Sequence, residues 1–333
     1  MRKSSFHHLS IGQRIGLALA FPVVALVALS LWSAADRYQA LVDNQRALEL
    51  VGFATAANGL VQALQLERGT AIGFVSSGES LFRDEVPQRQ QETDRARAVF
   101  SVTARDLNLR AFDQALDQQA TATGRLVEDV ESWRDELRRR AVSPSDLLAR
   151  YGSLVEKLIG LTRQLLLAHQ MEGDVARILG AYIRVMQAKE YAGLERAVGS
   201  MGFSARRFEA ADLARMVELS ERQNLYLDEF RLYADAATAR ELDQGWTMRD
   251  AAELSAMRQM ALSSLGGRPI GQGDAARWFE LTSKRIDLMR RSESNLADGL
   301  IRQARQGVRE ALLAAAWGGL LAAVALIATL LVA

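Results

Sequence analysis

Arg68 and Arg196 stand where charged side chains are unusual. On one predicted helix Leu60, Leu64, Arg68, Ala71 and Val75 follow at spacings of 4, 4, 3 and 4, so Arg68 shares the stripe of its apolar neighbours. On another, Ile178, Tyr182, Val185, Lys189, Ala192, Arg196, Gly199 and Phe203 repeat the pattern and put Arg196 on such a stripe. Small residues adjoin both: Gly69, Thr70, Ala71 and Gly73 beside Arg68, and Gly193, Ala197 and Gly199 beside Arg196. Arg258 occupies a third series, Leu254, Arg258, Ala261 and Leu265.

Only four of the 41 cations are Lys, so Arg is common in this chain. Any one Arg can lie at a stripe edge and snorkel to solvent. The small neighbours favour a site instead, because they leave room for an anion beside a buried cation. A guanidinium is a flat, permanently charged fork of donors that matches a small planar oxyanion such as nitrate. Charge-assisted hydrogen bonds contribute about 1.5–3 kcal/mol each. Three or four of them suffice for a micromolar site, about −8 kcal/mol. Two arginines ~6 Å apart repel by ~3 kcal/mol at an effective dielectric of about 20, and an anion between them reverses that term. Binding would then draw two helices together, a differential contact able to shift a conformational equilibrium.

Catalytic signatures are missing. His7 and His8 sit in the N-terminal tail, and His169 is the one other histidine. There is no metal-ligand spacing, no Gly-rich phosphate loop and no nucleophile elbow. No enzyme activity, metal or cofactor is expected.

The elements that must position the arginines read as long helices. Prolines occur only at Pro22, Pro87, Pro144 and Pro269, while Ala, Leu, Arg, Glu and Gln abound. The first helix is predicted to run to Ser76, with Ser77-Gly78 as a turn. A second, with Pro87 in its first turn, runs to Leu107, and a third spans 111–140. Ser143-Pro144-Ser145-Asp146 reads as a helix start, with Ser143 as N-cap and Pro144 at the first position. Gly173 punctuates the chain before a helix over 174–201. A loop over 202–209, helices over 211–234 and 238–262, and a Gly-rich loop over 263–274 follow. The last helix begins near Ala275. No alternating strand pattern is present. The expected fold is all-α: elongated antiparallel bundles, read as two stacked four-helix bundles.

Two uncharged runs bracket this region, 15–35 and 311–333, each long enough to cross the hydrocarbon core. Arg2, Lys3 and Arg14 precede the first, which predicts a cytoplasmic N-terminus. A cleaved signal peptide is the competing reading, but the run exceeds the usual signal core. The expected organisation is a cytoplasmic tail over 1–14, two transmembrane helices over 15–35 and 311–333, and an extracytoplasmic domain over 36–310 in the inner (plasma) membrane. Between the runs 38 cations face 40 acids, a net charge of −2 that argues against nucleic acid as a partner. The absence of Cys removes disulfides and thiolate chemistry and fits a periplasm.

Several stretches resemble the nitrate- and nitrite-sensing (NIT) domain of bacterial transmembrane receptors. Leu64-Gln65-Leu66-Glu67-Arg68-Gly69-Thr70-Ala71-Ile72-Gly73-Phe74, with Ser77-Gly78 after it, resembles the family's Glu-Arg-Gly-x-Ser/Thr segment. Residues 88–95, reading QRQQETDR, resemble its Gln-Arg…Thr-Asp stretch. Lys189-Glu190-Tyr191-Ala192-Gly193-Leu194-Glu195-Arg196-Ala197 is the second strong match, and residues 278–287 resemble the closing segment. The resemblance covers about 60–306. It implies an all-helical two-bundle fold that binds nitrate or nitrite through arginines, carried here by Arg68, Arg196 and Arg258, with Gly69 and Thr70 beside them. It further implies a homodimeric chemoreceptor-like sensor. Its second membrane helix would pass the change to a cytoplasmic output (a HAMP linker with a methyl-accepting, kinase or cyclase module) that is missing from this chain. The alternatives are a helical membrane scaffold or a sensor of another small ligand.

Overall fold

The computed structural model describes residues 11–76, 79, 82–167, 173–266, 269–271 and 273–332. His7, His8, His169 and the Ser77-Gly78 turn lie outside them. The helices are α1 Ile11–Ser76, α2 Glu85–Asp106, α3 Leu109–Phe112, α4 Gln114–Glu128, α5 Val130–Arg138, α6 Pro144–Gln164, α7 Gly173–Ala205, α8 Ala210–Tyr233, α9 Ala236–Gly245, α10 Met248–Ser263 and α11 Asp274–Val332. No strand occurs among the described residues, and the fold is an all-α helical bundle.

Local chemistry explains most boundaries. The Ser143 hydroxyl accepts from the Asp146 amide at 3.1 Å, and Pro144 begins α6, as the sequence predicts. Gly173 takes φ +58° at the start of α7, a left-handed conformation that glycine adopts freely. The expected helix over 111–140 is three pieces, with Asp113 capping α4 by accepting from the Leu116 amide. The expected helix over 238–262 breaks at Trp246. Thr247 and Asp250 then cap α10 reciprocally, each side chain bonding the other's backbone amide. The loop expected from Gly202 starts later. Gly202 is helical because the Phe208 ring packs on it where a Cβ would stand, and α7 ends instead where Arg206 turns left-handed.

The chain divides into two compact units, one of residues 1–48 with 303–333 and one of residues 49–302. In the first, Arg37 donates to the Ala314 carbonyl and its stem lies against Gly318. Large apolar side chains such as Trp32, Trp317, Leu321 and Ile327 are exposed there. Among the described residues two helices are long and apolar enough to cross a membrane, by length and composition alone.

In the second unit α1, α2, α4–α5 and α6 form one four-membered group. Phe53 of α1 meets Phe100 of α2 at 5.7 Å, and Trp133 of α5 meets Tyr151 of α6 at 5.2 Å. The other group is α7, α8, α9–α10 and α11. Its core joins Val198 and Phe203 with Leu213, Leu219, Leu254 and Trp278, and fully burying a side chain such as Trp278 contributes about 2–3 kcal/mol. Helices α1 and α7, which carry the two arginines, face each other where the groups meet.

Candidate anion-binding site

Most charges at this seam are cancelled. Arg68 is buried, and its fork is held by Glu190 of α7: Nη1 donates to Oε1 at 2.5 Å and Nη2 to Oε2 at 3.0 Å. Gln65 adds a bond to the same carboxylate at 2.8 Å. Next to Arg68, Glu67 faces the other way and accepts from Arg134 Nε at 2.7 Å, Arg134 Nη2 at 2.9 Å and the Tyr151 hydroxyl at 2.9 Å. Burial opposes the Arg134 charge, but the Glu67 and Asp94 carboxylates outweigh it and its pKa is raised. Lys189 and Glu293 form another buried pair.

Arg196 is the exception. Its Nη1 donates to the Ser283 hydroxyl at 3.0 Å, and its guanidinium carbon lies 5.0 Å from the centre of the Phe279 ring. Among the described residues no carboxylate is within ion-pair distance of it. Although half-buried by surface, the guanidinium is enclosed by protein. Burial, and then the Arg68 charge, lower its pKa to about 10 against a raising contribution from Asp287. Ser200, one turn beyond, has a buried hydroxyl without a partner among the described residues.

Glycines bring the two arginines close. Arg196 Nη2 lies 3.5 Å from where a Cβ on Gly69 would stand, and Arg68 Nη2 lies 3.1 Å from where one on Gly193 would stand. Each guanidinium therefore rests on a glycine of the opposite helix. With Arg68 paired and Arg196 unpaired, the seam keeps one uncompensated positive charge. It offers donors from a planar fork and a hydroxyl, with a ring face as one wall. That set fits a small planar monoanion.

Of the residues singled out in the sequence, Arg68, Arg196 and Gly69 meet here. Arg258 does not join them: its fork takes Glu195 at 2.7 and 2.8 Å. The Thr70 hydroxyl bonds the carbonyls of Leu66 and Glu67 in its own helix. Sequence reasoning passed over Glu190, Glu195, Ser283 and Phe279. The acids were legible as neighbours of arginines within the quoted segments. Ser283 and Phe279 were not, since they reach Arg196 from a helix about 80 residues later.

Comparison with known proteins bears on this site. The nitrate and nitrite sensing (NIT) family profile matches residues 59–301. The nitrate regulatory protein of Klebsiella oxytoca is 25% identical over 252 residues, a match covering 74% of this chain and 61% of that relative. The chain thus spans about three fifths of the length of the curated relative. The solved structure of the NasR transcription antiterminator superposes with a TM-score of 0.74 at 20% identity, covering 89% of this chain and 84% of that one, a likeness of fold.

These relatives correct three expectations. Chemotaxis through a transmembrane chemoreceptor with a HAMP, methyl-accepting, kinase or cyclase output is overturned, because the relatives are a nitrate regulatory protein and a transcription antiterminator. The two-pass inner-membrane placement falls with it: core helices and signal sequences pass the same test of length and composition. The exclusion of nucleic acid falls too, since the net charge of one segment does not decide what a regulator of transcription engages. What stands is the sensing domain itself, and the chain belongs to the nitrate and nitrite sensing (NIT) family.

Proposed function

We propose that this chain is the sensing part of a nitrate- and nitrite-responsive regulator of transcription, and that it works by binding rather than by catalysis. The observation that carries this reading is Arg196: a desolvated guanidinium beside Arg68, without a carboxylate among the described residues. The anion lies on the Arg196 fork, accepts from Ser283, stacks toward Phe279 and shares its charge with Arg68. Gly69 and Gly193 supply the space. Arg258 and Thr70 stay with Glu195 and the α1 backbone. The regulatory role rests on the name of the Klebsiella relative.

Binding ties together three helices. Arg68 is on α1, Arg196 on α7, and Ser283 and Phe279 on α11. An anion relieves the repulsion between the arginines and competes with Glu190 for the Arg68 fork, so the bound and free states differ in which group that fork holds. The test is calorimetric titration of the full chain with nitrate, nitrite, chloride and sulfate. Nitrate and nitrite are expected to bind at micromolar to millimolar concentration, with Arg196→Lys at least about tenfold weaker because an ammonium lacks the planar fork. Absence of heat, and of any melting shift with either anion, would overturn the reading.

A further inference from the structure

A second unpaired guanidinium faces a different space. Between α8, α9 and α11 lies a cavity of about 530 Å³. Its apolar walls include Leu227, Leu242, Trp246 and Leu288, and Arg285 of α11 lines one side. The Arg285 guanidinium carbon lies 5.1 Å from the centre of the Trp246 ring, and its Nε is buried with no hydrogen-bond partner among the described residues. A buried donor left unpaired costs about 1–3 kcal/mol, so the position calls for an acceptor.

The acids nearby do not supply one. Asp228 and Asp243 are both on Arg231, at 2.8 and 2.7 Å. Glu195 is held by Arg258 and Gln223. Burial, followed by the charge of Arg258, depresses the Arg285 pKa to about 10. Arg285 and Ser283 are two positions apart on α11 and so point to opposite sides of that helix. This cavity is therefore not the Arg196 site.

We propose that the cavity binds a small organic monocarboxylate. Its carboxylate sits on the Arg285 fork, and its apolar body lies against Trp246, Leu227, Leu242 and Leu288. The volume falls in the range of sites for small organic ligands and far exceeds a nitrate ion. The walls are mostly apolar, which suits a hydrocarbon body. Asp228 and Asp243 at the rim disfavour a second negative charge, which selects a monoanion over a phosphate or dicarboxylate.

The experiment is calorimetric titration of the full chain with benzoate, hexanoate and, as a neutral control, benzamide, each repeated with saturating nitrate. At least one carboxylate is expected to bind, benzamide at least about tenfold more weakly, and nitrate should not displace the carboxylate. Arg285→Gln should weaken carboxylate binding at least about tenfold and leave the nitrate isotherm unchanged. Ala251→Phe, at an exposed position on the cavity rim, should block the carboxylate without disturbing the core. It decides the matter even if Arg285→Gln fails to fold. Three results would overturn the proposal: no carboxylate binding up to about 10 mM, displacement by nitrate, or binding that survives Ala251→Phe.

Discussion

Arg68 lies directly over Gly193, its Nη2 only 3.1 Å from where a Cβ would stand. The guanidinium has little freedom to yield, because Glu190 clamps it on its other edge. Gly193→Ala should therefore push the Arg68 fork out of register with Arg196. The expected result is a loss of nitrate affinity of about tenfold, ~1.4 kcal/mol, with helical content unchanged. An unaltered isotherm would show that Arg68 does not contact the anion.

Glu190 is the group that an anion must rival. Its removal leaves Arg68 as a buried, unpaired charge, a change that costs about 3–5 kcal/mol. Glu190→Gln should accordingly melt well below the parent without added anion. Nitrate should then restore more stability to the variant than it adds to the parent, because it serves two free forks in place of one. Thermal scans with and without nitrate measure both effects, and equal nitrate shifts in the two proteins would refute the competition.

Asp250 supplies a pH dependence far from the anion. Its carboxylate accepts from Lys284 at 2.8 and 2.7 Å and from the Thr247 hydroxyl at 2.7 Å. The Lys284 bonds, then those from Thr247, hold its pKa at about 2, below the usual 3.8. A carboxylate depressed in the folded state contributes stability above its unfolded pKa and loses it as the pH falls through the folded value. Melting temperature should therefore drop between about pH 4 and about pH 2. Asp250→Asn should start lower at neutral pH and lose less across that window. Parallel curves for the two proteins would rule Asp250 out as the source.

Much of this site was legible in the sequence because it rests on periodicity. The stripes through Arg68 and Arg196 fix which face each arginine takes, and both do face the seam. The Ser143 cap was legible because its bonds span three residues. The break at Trp246 was missed although Thr247-x-x-Asp250 has the capping-box spacing. Gly202 was misread because a glycine under an aromatic ring and a glycine that ends a helix look alike until Phe208 is placed. The pairing of Arg68 with Glu190, 122 residues away, and of Arg258 with Glu195, 63 residues away, depends on which helices become neighbours. No local pattern encodes that choice. It decides which arginine keeps its charge free.

Arg196 itself gives the clearest separation of stability from function. In the free protein its charge is desolvated, repelled by Arg68, and bonded to the neutral Ser283 hydroxyl. Replacing it removes an unfavourable charge rather than a favourable pair, so Arg196→Gln should leave the free protein as stable as the parent or more so, where most substitutions of enclosed residues destabilise. The same change should abolish the response to nitrate. At nitrate a hundredfold above its dissociation constant the parent gains about 2.7 kcal/mol, and the variant should gain none. Denaturant titrations of both proteins with and without nitrate give all four values. A free-state loss of several kcal/mol in Arg196→Gln would mark Arg196 as a structural group, and a retained nitrate gain would remove it from the anion site.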